Sequence, residues 1–383
     1  LEVAFLAADA IMMATPWQYF SQENGKALNL ADKAQAILEQ GMAQNPSHPG
    51  LTHLHIHLME NSASPELAEA SADRLESLTP KAGHMVHMPG HIYMRVGRYA
   101  DAIATNERSL LADKYMATAW GDLPFPSGTT YGLSHRGHAP HASNFIHWGA
   151  VLQGNSNLAI ASIKSMVDRL DTERLQSGGA QRTLANYWMT LRFFHRWEEL
   201  LALQEIANLP PYLQGMWHFV RGSAFAAKDE VEAAQSELDA LIAITDKPES
   251  LNYRAAVNTA ADLLSIAQHE LMGTIAQAAQ NYPAAIEHFK QAVSKQDQLR
   301  YMEPPDWLQS TRLSLGEAYL DAENYTDAEA VYLRDLELLQ ENGWALYGLL
   351  QSLQAQQQDE EILAVEERFG EAWQNADIDL GSL

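Results

Sequence analysis

Apolar residues recur along this chain at three- and four-residue intervals, the spacing that draws a continuous apolar stripe down one face of a helix. No stretch sustains the two-residue alternation of a half-buried strand, and no Asn-Gly or Asp-Gly pair joins two such runs. The pattern predicts helices throughout, among them 155–170, 186–207 and 216–244. It also repeats. Ala34, Leu38 and Pro46 are echoed 34 residues on by Ala68, Ala72 and Pro80, and then by Ala102 and Asn106. Related spacings return in Ala279, Tyr282, Ala285, Phe289 and Ala292, in Leu315, Gly316 and Tyr319, and in Tyr325, Ala328 and Tyr332. A unit this short cannot bury its apolar faces alone, so the expected fold is all-α, a solenoid of stacked antiparallel helix pairs. Residues 117–140 interrupt it with Gly121, Pro124, Pro126, Gly128, Gly132 and Gly137, too many breakers for a helix. The expected organisation is an N-terminal array (1–116), a Gly/Pro/His-rich loop (117–140) and an acidic C-terminal array (141–383).

Histidine follows the same period. Of 15 histidines, 11 lie between His48 and His147. His53 and His87 stand one repeat apart, as do His57 and His91, and within each helix the two are four residues apart and share a face. Neighbouring helices pack about 8–10 Å apart, so these four rings can converge on one ion. His84 extends the stripe by one turn. Glu60, three residues after His57, adds a carboxylate and is the first candidate for a general base. His55 lies about 200° round the helix from His53 and is expected to pack against the next helix. Carrying the register across the loop puts His141 at the place of His84, Asn144 at that of His53 and His87, and Trp148 at that of His57 and His91.

Imidazole nitrogen suits zinc, copper and, less readily here, iron, and His-x3-His is a recurrent ligand spacing. The candidate metal ligands are therefore His53, His57, His84, His87, His91 and His141. The plainer alternative has the same rings lining a groove that holds a peptide or small molecule by hydrogen bonds. Met59, Met85, Met88 and Met94 share these segments; thioethers would suit copper, but helical spacing reads first as core filling. Tyr131, His135 and His138 precede His141 and are candidate substrate contacts if the loop closes over the groove. Arg95, one turn beyond His91, is a candidate partner for an anionic substrate group or for Glu60.

Composition narrows the chemistry. The chain has 383 residues and no cysteine, which excludes disulfides, thiolate metal sites and a cysteine nucleophile. Against 49 acidic residues stand 25 basic ones, and a net charge of −24 disfavours nucleic acid as a partner. That charge divides into −5 over 1–150 and −19 over 151–383. The longest apolar run, Val3 to Ala14, is too short to cross a bilayer and contains Asp9. A chain that opens on Leu1 and goes straight into helix reads as a processed form or fragment of a soluble protein. No phosphate loop, Gly-x-Ser-x-Gly elbow, His-Glu-x-x-His or calcium loop occurs.

The small residue, the next one four on and the proline twelve on resemble the second half of a tetratricopeptide repeat, and Gly90 and Tyr93 resemble its first-helix signature. In tetratricopeptide arrays the histidine positions would line the concave groove. The run from Pro16-Trp17 through His48-Pro49-Gly50, His53-x3-His57-x2-Glu60 and Gly83-His84-x2-His87-Met88-Pro89-x-His91-Ile92-Tyr93 to Gly97-Arg98-Tyr99 resembles a bacterial tetratricopeptide-repeat family to which no settled reaction is attached. Trp344, Tyr347-Gly348-Leu349 and Phe369-Gly370-Glu371-Ala372-Trp373 extend the resemblance. Where that family shows His-Asn-x-His-Phe, this chain has His141-Ala142-Ser143-Asn144-Phe145, with Asn144 in place of the second histidine. The resemblance implies a bacterial protein of cytoplasm or periplasm. Three functions follow: a metal-dependent oxidoreductase or hydrolase, a metal carrier, or a peptide-binding adaptor.

Overall fold

The structure is a computed structural model of the whole chain and describes residues 1–21, 25–121, 138–171, 173–247, 254 and 257–382. Two compact units divide it, Leu1–Ala150 and Val151–Leu383. The first contains α1 (Glu2–Ala14), α2 (Ala31–Gln44), α3 (Pro49–Met59), α4 (Glu69–Leu78), α5 (Gly83–His87), α6 (Pro89–Arg95), α7 (Tyr99–Trp120) and most of α8 (His138–Leu152). The second contains α9 (Ser156–Val167), α10 (Gly178–Phe193), α11 (Trp197–Ala202), α12 (Pro211–Ala227), α13 (Val231–Thr245), α14 (Ala260–Ala278), α15 (Tyr282–Asp297), α16 (Thr311–Asp321), α17 (Tyr325–Leu338), α18 (Gly343–Gln356) and α19 (Asp359–Ala372). Among the described residues there is no strand, only the isolated bridges Phe20 to Ala27 and Arg254 to Thr259. No helix described is long and apolar enough to cross a membrane.

Each helix packs chiefly on its sequence neighbours, which is the stacked-pair architecture the periodicity predicts. What defines a pair is its turn. Between α6 and α7, α10 and α11, α12 and α13, α14 and α15, α16 and α17, and α18 and α19, one residue enters the left-handed region: Gly97, His195, Asp229, Gln280, Glu323 and Gln357, at φ between 52° and 80°. The next amide donates back across the turn to a carbonyl five residues earlier, Arg98 to Tyr93, Arg196 to Leu191, Glu230 to Phe225, Asn281 to Ala276, Asn324 to Tyr319 and Gln358 to Leu353, at 2.8–3.1 Å. These are Schellman closures, which satisfy helix-end carbonyls while reversing the chain. His195 and Asp229 lie 34 residues apart, as do Glu323 and Gln357. The period is thus written in the turns even where helix side chains no longer show it.

Five of those six turn residues are not glycine, and this explains where the helical pattern misleads. The stretches 186–207 and 216–244 each hold two helices, broken at His195 and at Asp229. The interruption is shorter than its Gly/Pro content suggests, since α7 continues through 117–120 and α8 begins at His138. The helix carrying His141 consequently belongs to the first unit. Tyr131 and His135 fall outside the described residues.

The cores are apolar and methionine takes part. Met59, Met88 and Met94 are buried with Leu51, Ile56, Leu58 and Ile92 in the first unit, and full burial of such a side chain is worth about 1.5–3 kcal/mol. In the second unit one core gathers Trp188, Trp217, Phe219, Leu264 and Leu271, and another Phe289, Tyr319, Tyr332 and Leu346.

The turns yield a prediction. A side chain in the left-handed region costs roughly 1–2 kcal/mol relative to the right-handed one, and exposed Asp229 bonds within its turn through its backbone amide, to Ala226 O at 3.1 Å, as a glycine there would too. Asp229→Gly should raise the melting temperature of the second unit by about 2–4 °C per kcal/mol gained, and Asp229→Val should lower it; calorimetry showing the reverse order would refute the assignment of this turn.

Candidate metal centre

Pro49 opens α3 and sits where its missing N–H is no loss. The helix then presents Leu51, Leu54 and Leu58 to the core and His53 and His57, both half-buried, on another face. His55 turns away, as its angle predicts, and places Nδ1 2.9 Å from Ser71 Oγ. In the next pair Pro89 removes one hydrogen bond between α5 and α6, yet Met88 keeps helical angles (φ −52°, ψ −38°). His84, His87 and His91 therefore share one face across the break.

Their nitrogens converge. His53, His57 and His84 form one group, and His87, His91 and His141 another, each offering three nitrogen atoms within 4.8 Å of one another, an arrangement that could hold a metal ion. His53 Nε2 lies 3.0 Å from His84 Nε2, and His87 Nε2 lies 2.9 Å from His91 Nε2. This differs from the four-cornered set of His53, His57, His87 and His91 drawn from the register alone. Places equivalent in adjacent repeats are offset by the stacking of the pairs, and the ring one turn earlier, His84, is the one that reaches His53.

Acceptors behind the rings decide which nitrogens are available. Asn106, on α7, donates through Nδ2 to its own helix at Ala102 O (2.8 Å), so its Oδ1 is the atom 2.6 Å from His87 Nδ1. His87 therefore carries its proton on Nδ1 and leaves Nε2 as a bare lone pair. Glu60 stands beside His91, with Oε2 3.1 Å from Nδ1 as an ion-pair contact, and its Oε1 lies 3.4 Å from His57 Nδ1. His87 Nε2 thus faces His91 Nε2 as an acceptor across 2.9 Å, a place that an N–H of His91 or a cation can fill.

His138 repeats the pattern at the first residue of α8. Its Nδ1 lies 2.7 Å from Asp113 Oδ2, and its Nε2 is buried without a hydrogen-bond partner. Its ring stands 5.7 Å from that of His84 and 5.2 Å from that of His87. His138 accordingly sits among the clustered histidine rings on a helix and not in a loop over them. Phe145 closes the floor, edge-on to His87, His91 and His141. Asn144 donates to Pro140 O, and Trp148 is buried.

The outer carboxyl and amide groups sit where side chains are missing. Thr105, Asn106, Ser109 and Asp113 form a buried polar stripe on α7. A β-carbon on Gly90 would come within 2.6 Å of Asn106 Nδ2, and one on Gly83 within 1.9 Å of Asp113 Oδ1. The glycines of Gly83-His84 and Gly90-His91 are thus the space into which the bracing residues fit. Arg95 is spent on structure, donating to the backbone carbonyls of Glu60 and Ser62 at the end of α3. Neither Asn106 nor Asp113 stood out in the sequence, although Asn106 occupies the repeat place held by Leu38 and Ala72, both fully buried. A polar residue in an apolar register place was the available signal.

Electrostatics favour the neutral form of three of the rings, His53, His84 and His87. Burial, followed by the neighbouring imidazoles His57, His138 and His91, drives His84 down to about 3. Burial and adjacent rings likewise hold His53 and His87 well below the usual histidine range. A neutral imidazole is the ligand form, so protons offer little competition for a metal at neutral pH.

A tetratricopeptide-repeat family profile matches residues 311–343, which hold α16 and α17. No curated protein matches the chain. Among solved structures it is similar to a chain of the Naa15/Naa10 complex bound to HypK-THB, at 11% identity over 97% of this chain and 63% of that chain, TM-score 0.30. It is also similar to yeast Tom70, at 10% identity over 97% and 91% of the two chains, TM-score 0.28. For a chain of the APC/C hetero-tetramer Cut9-Hcn1 the identity is 11% over 98% and 88%, TM-score 0.28. The chain spans 63% of the length of the first of these. The repeat architecture is tetratricopeptide-like, an all-α stack of helix pairs.

The hydrogen-bond network predicts a tautomer. Long-range nitrogen–proton spectra of metal-free protein labelled at histidine should show His87 and His138 with the proton on Nδ1, and Asn106→Val should release His87 into a mixture. An Nε2–H signal for His87 in the unaltered chain would contradict the assignment.

Proposed function

We propose that the first unit binds a transition metal through its histidines and that the metal is the working part of the protein. The observation that carries this is the convergence of two groups of three imidazoles, His53, His57 and His84 and His87, His91 and His141, each offering nitrogens within 4.8 Å of one another, with His87 Nδ1 already engaged by Asn106 so that its Nε2 is left to the group. Six imidazole nitrogens, no cysteine and no carboxylate in either group of three histidines favour copper or zinc over iron, which more often takes a carboxylate.

Three imidazoles leave an ion with an open coordination place, the condition for polarising a substrate or activating water or oxygen. This supports a metal-dependent oxidoreductase or hydrolase over a carrier. Glu60, with its two oxygens on Nδ1 atoms, orients rings from behind and raises their donor strength; that geometry supports positioning in place of the general-base role suggested by its spacing. His138, whose Nε2 has no partner, is the better candidate to meet a substrate or a bound ligand.

Elemental analysis of protein purified without a metal-affinity tag should find copper or zinc, and His91→Ala should lower the amount bound. Asn106→Val, which leaves every ligand in place, should weaken binding by about 10–100-fold while circular dichroism shows the helices intact. Metal-free protein that takes up neither ion would return the histidines to the role of polar liners in an adaptor.

A further inference from the structure

The two histidine groups are copies of each other. In the first, ring centroids are 4.7 Å apart for His53 and His57, 5.0 Å for His53 and His84, and 6.0 Å for His57 and His84. In the second, the corresponding distances are 4.7 Å for His87 and His91, 4.7 Å for His87 and His141, and 5.7 Å for His91 and His141. Each group takes an i, i+4 pair from one helix pair and its third ring from the next, at the place one turn before the equivalent pair. The triangles agree to within 0.3 Å on every side. The repeat that stacks the helices has thus built one donor set twice, and the series ends on α8, where Asn144 and Trp148 stand in the pair's places.

We infer that the unit holds two copper ions at once, one in each triangle, as a coupled pair. This rests on the metal reading above and adds the number, the ion and the pairing. The triangles abut, with His57 and His91 6.1 Å apart and His84 and His87 6.4 Å apart between ring centroids. Glu60 spans them, one oxygen on His57 of the first and the other on His91 of the second. His138 stands edge-on to His84 of one triangle and His87 of the other, its buried Nε2 unpartnered at the seam. Each triangle gathers three nitrogens within 4.8 Å of one another, so each can take one ion, whereas the rings of the two triangles stand farther apart across the seam than the rings within the i, i+4 pairs.

Charge selects the ion. Neutral imidazoles contribute no charge, and Glu60 and Asp113 are buried carboxylates placed against the rings. Two monovalent copper ions bring two positive charges into the buried cluster where two zinc ions would bring four, so copper(I) asks for fewer compensating carboxylates. The triangles are not equal in strength. His87 is fully buried and braced by Asn106, while half-buried His53 has Ala72 at the place equivalent to Asn106. The second triangle fills first.

The test is an anaerobic copper(I) titration of the full chain, stripped of metal, against a chromogenic copper(I) chelator. Two equivalents are expected, bound stepwise. His84→Ala should keep only the tighter one, His87→Ala only the weaker one, and the double variant none. One equivalent in the unaltered chain, removed by either substitution, would overturn the pair and leave metal binding standing; no copper retained beyond the double variant would overturn both. Should His87→Ala unfold, half-exposed His141→Ala takes its place. Independently, the unaltered chain carrying two equivalents of copper(II) should give an electron paramagnetic signal well below two spins. Two full, uncoupled spins would overturn the pairing alone.

Discussion

The first unit depends on the amide of Asn106 being unable to turn over. Its Nδ2 is committed to Ala102 O on its own helix, so its oxygen faces His87 and fixes the proton on Nδ1. From that one constraint the rest follows in order. Nε2 of His87 becomes an acceptor and meets Nε2 of His91 at 2.9 Å, with Glu60 beside that ring's other nitrogen. A buried network is strong when satisfied and costly when it is not. Here buried acceptors brace His57, His87 and His138 from behind and leave their other nitrogens to the cluster.

Such a cluster must be carried by the surrounding core, because burying polar atoms that lack partners costs about 1–3 kcal/mol each. The stripe of Thr105, Asn106, Ser109 and Asp113 on α7 is enclosed by apolar side chains, and two of its hydroxyls complete main-chain bonds of α5, Thr105 to Val86 O at 2.7 Å and Ser109 to Gly83 O at 2.8 Å. Gly83 and Gly90 let α7 come close enough for its short polar side chains to reach the rings. The histidines are therefore held by a helix that itself contributes no metal donor, and the precision of the site is the precision of that packing.

Much of this was legible in the sequence, and the limits have physical causes. Helix pairs, the 34-residue period and the inward histidines were read from spacing, since spacing determines which residues share a helix face. His55 as a packing residue followed from its angle alone. The breaks at His195 and Asp229 were invisible because the turns use side chains that only the closed Schellman bond persuades into the left-handed region. The grouping of six rings into two triangles was invisible because it depends on how far one helix pair slides past the next, a quantity the register does not contain. Asn106 and Asp113 were hidden by being polar residues where the repeat puts apolar ones.

A repeat array has a particular consequence for a site built on it. In a fold of unrelated elements, a donor set arises once, from residues far apart in sequence, and a second copy would have to arise anew. In a stack of helix pairs the same substitution made at the same place in two neighbours gives two sites related by the stacking operation itself. The triangles of His53, His57 and His84 and of His87, His91 and His141 have that relation. Their differences lie in the second layer, where Ala72 and Asn106 hold equivalent places. Duplication by stacking thus supplies the pair, and divergence of the bracing residues makes its two members unequal. The helix pairs of the second unit keep the same turns and build an apolar core from side chains such as Trp217, Phe219 and Leu264.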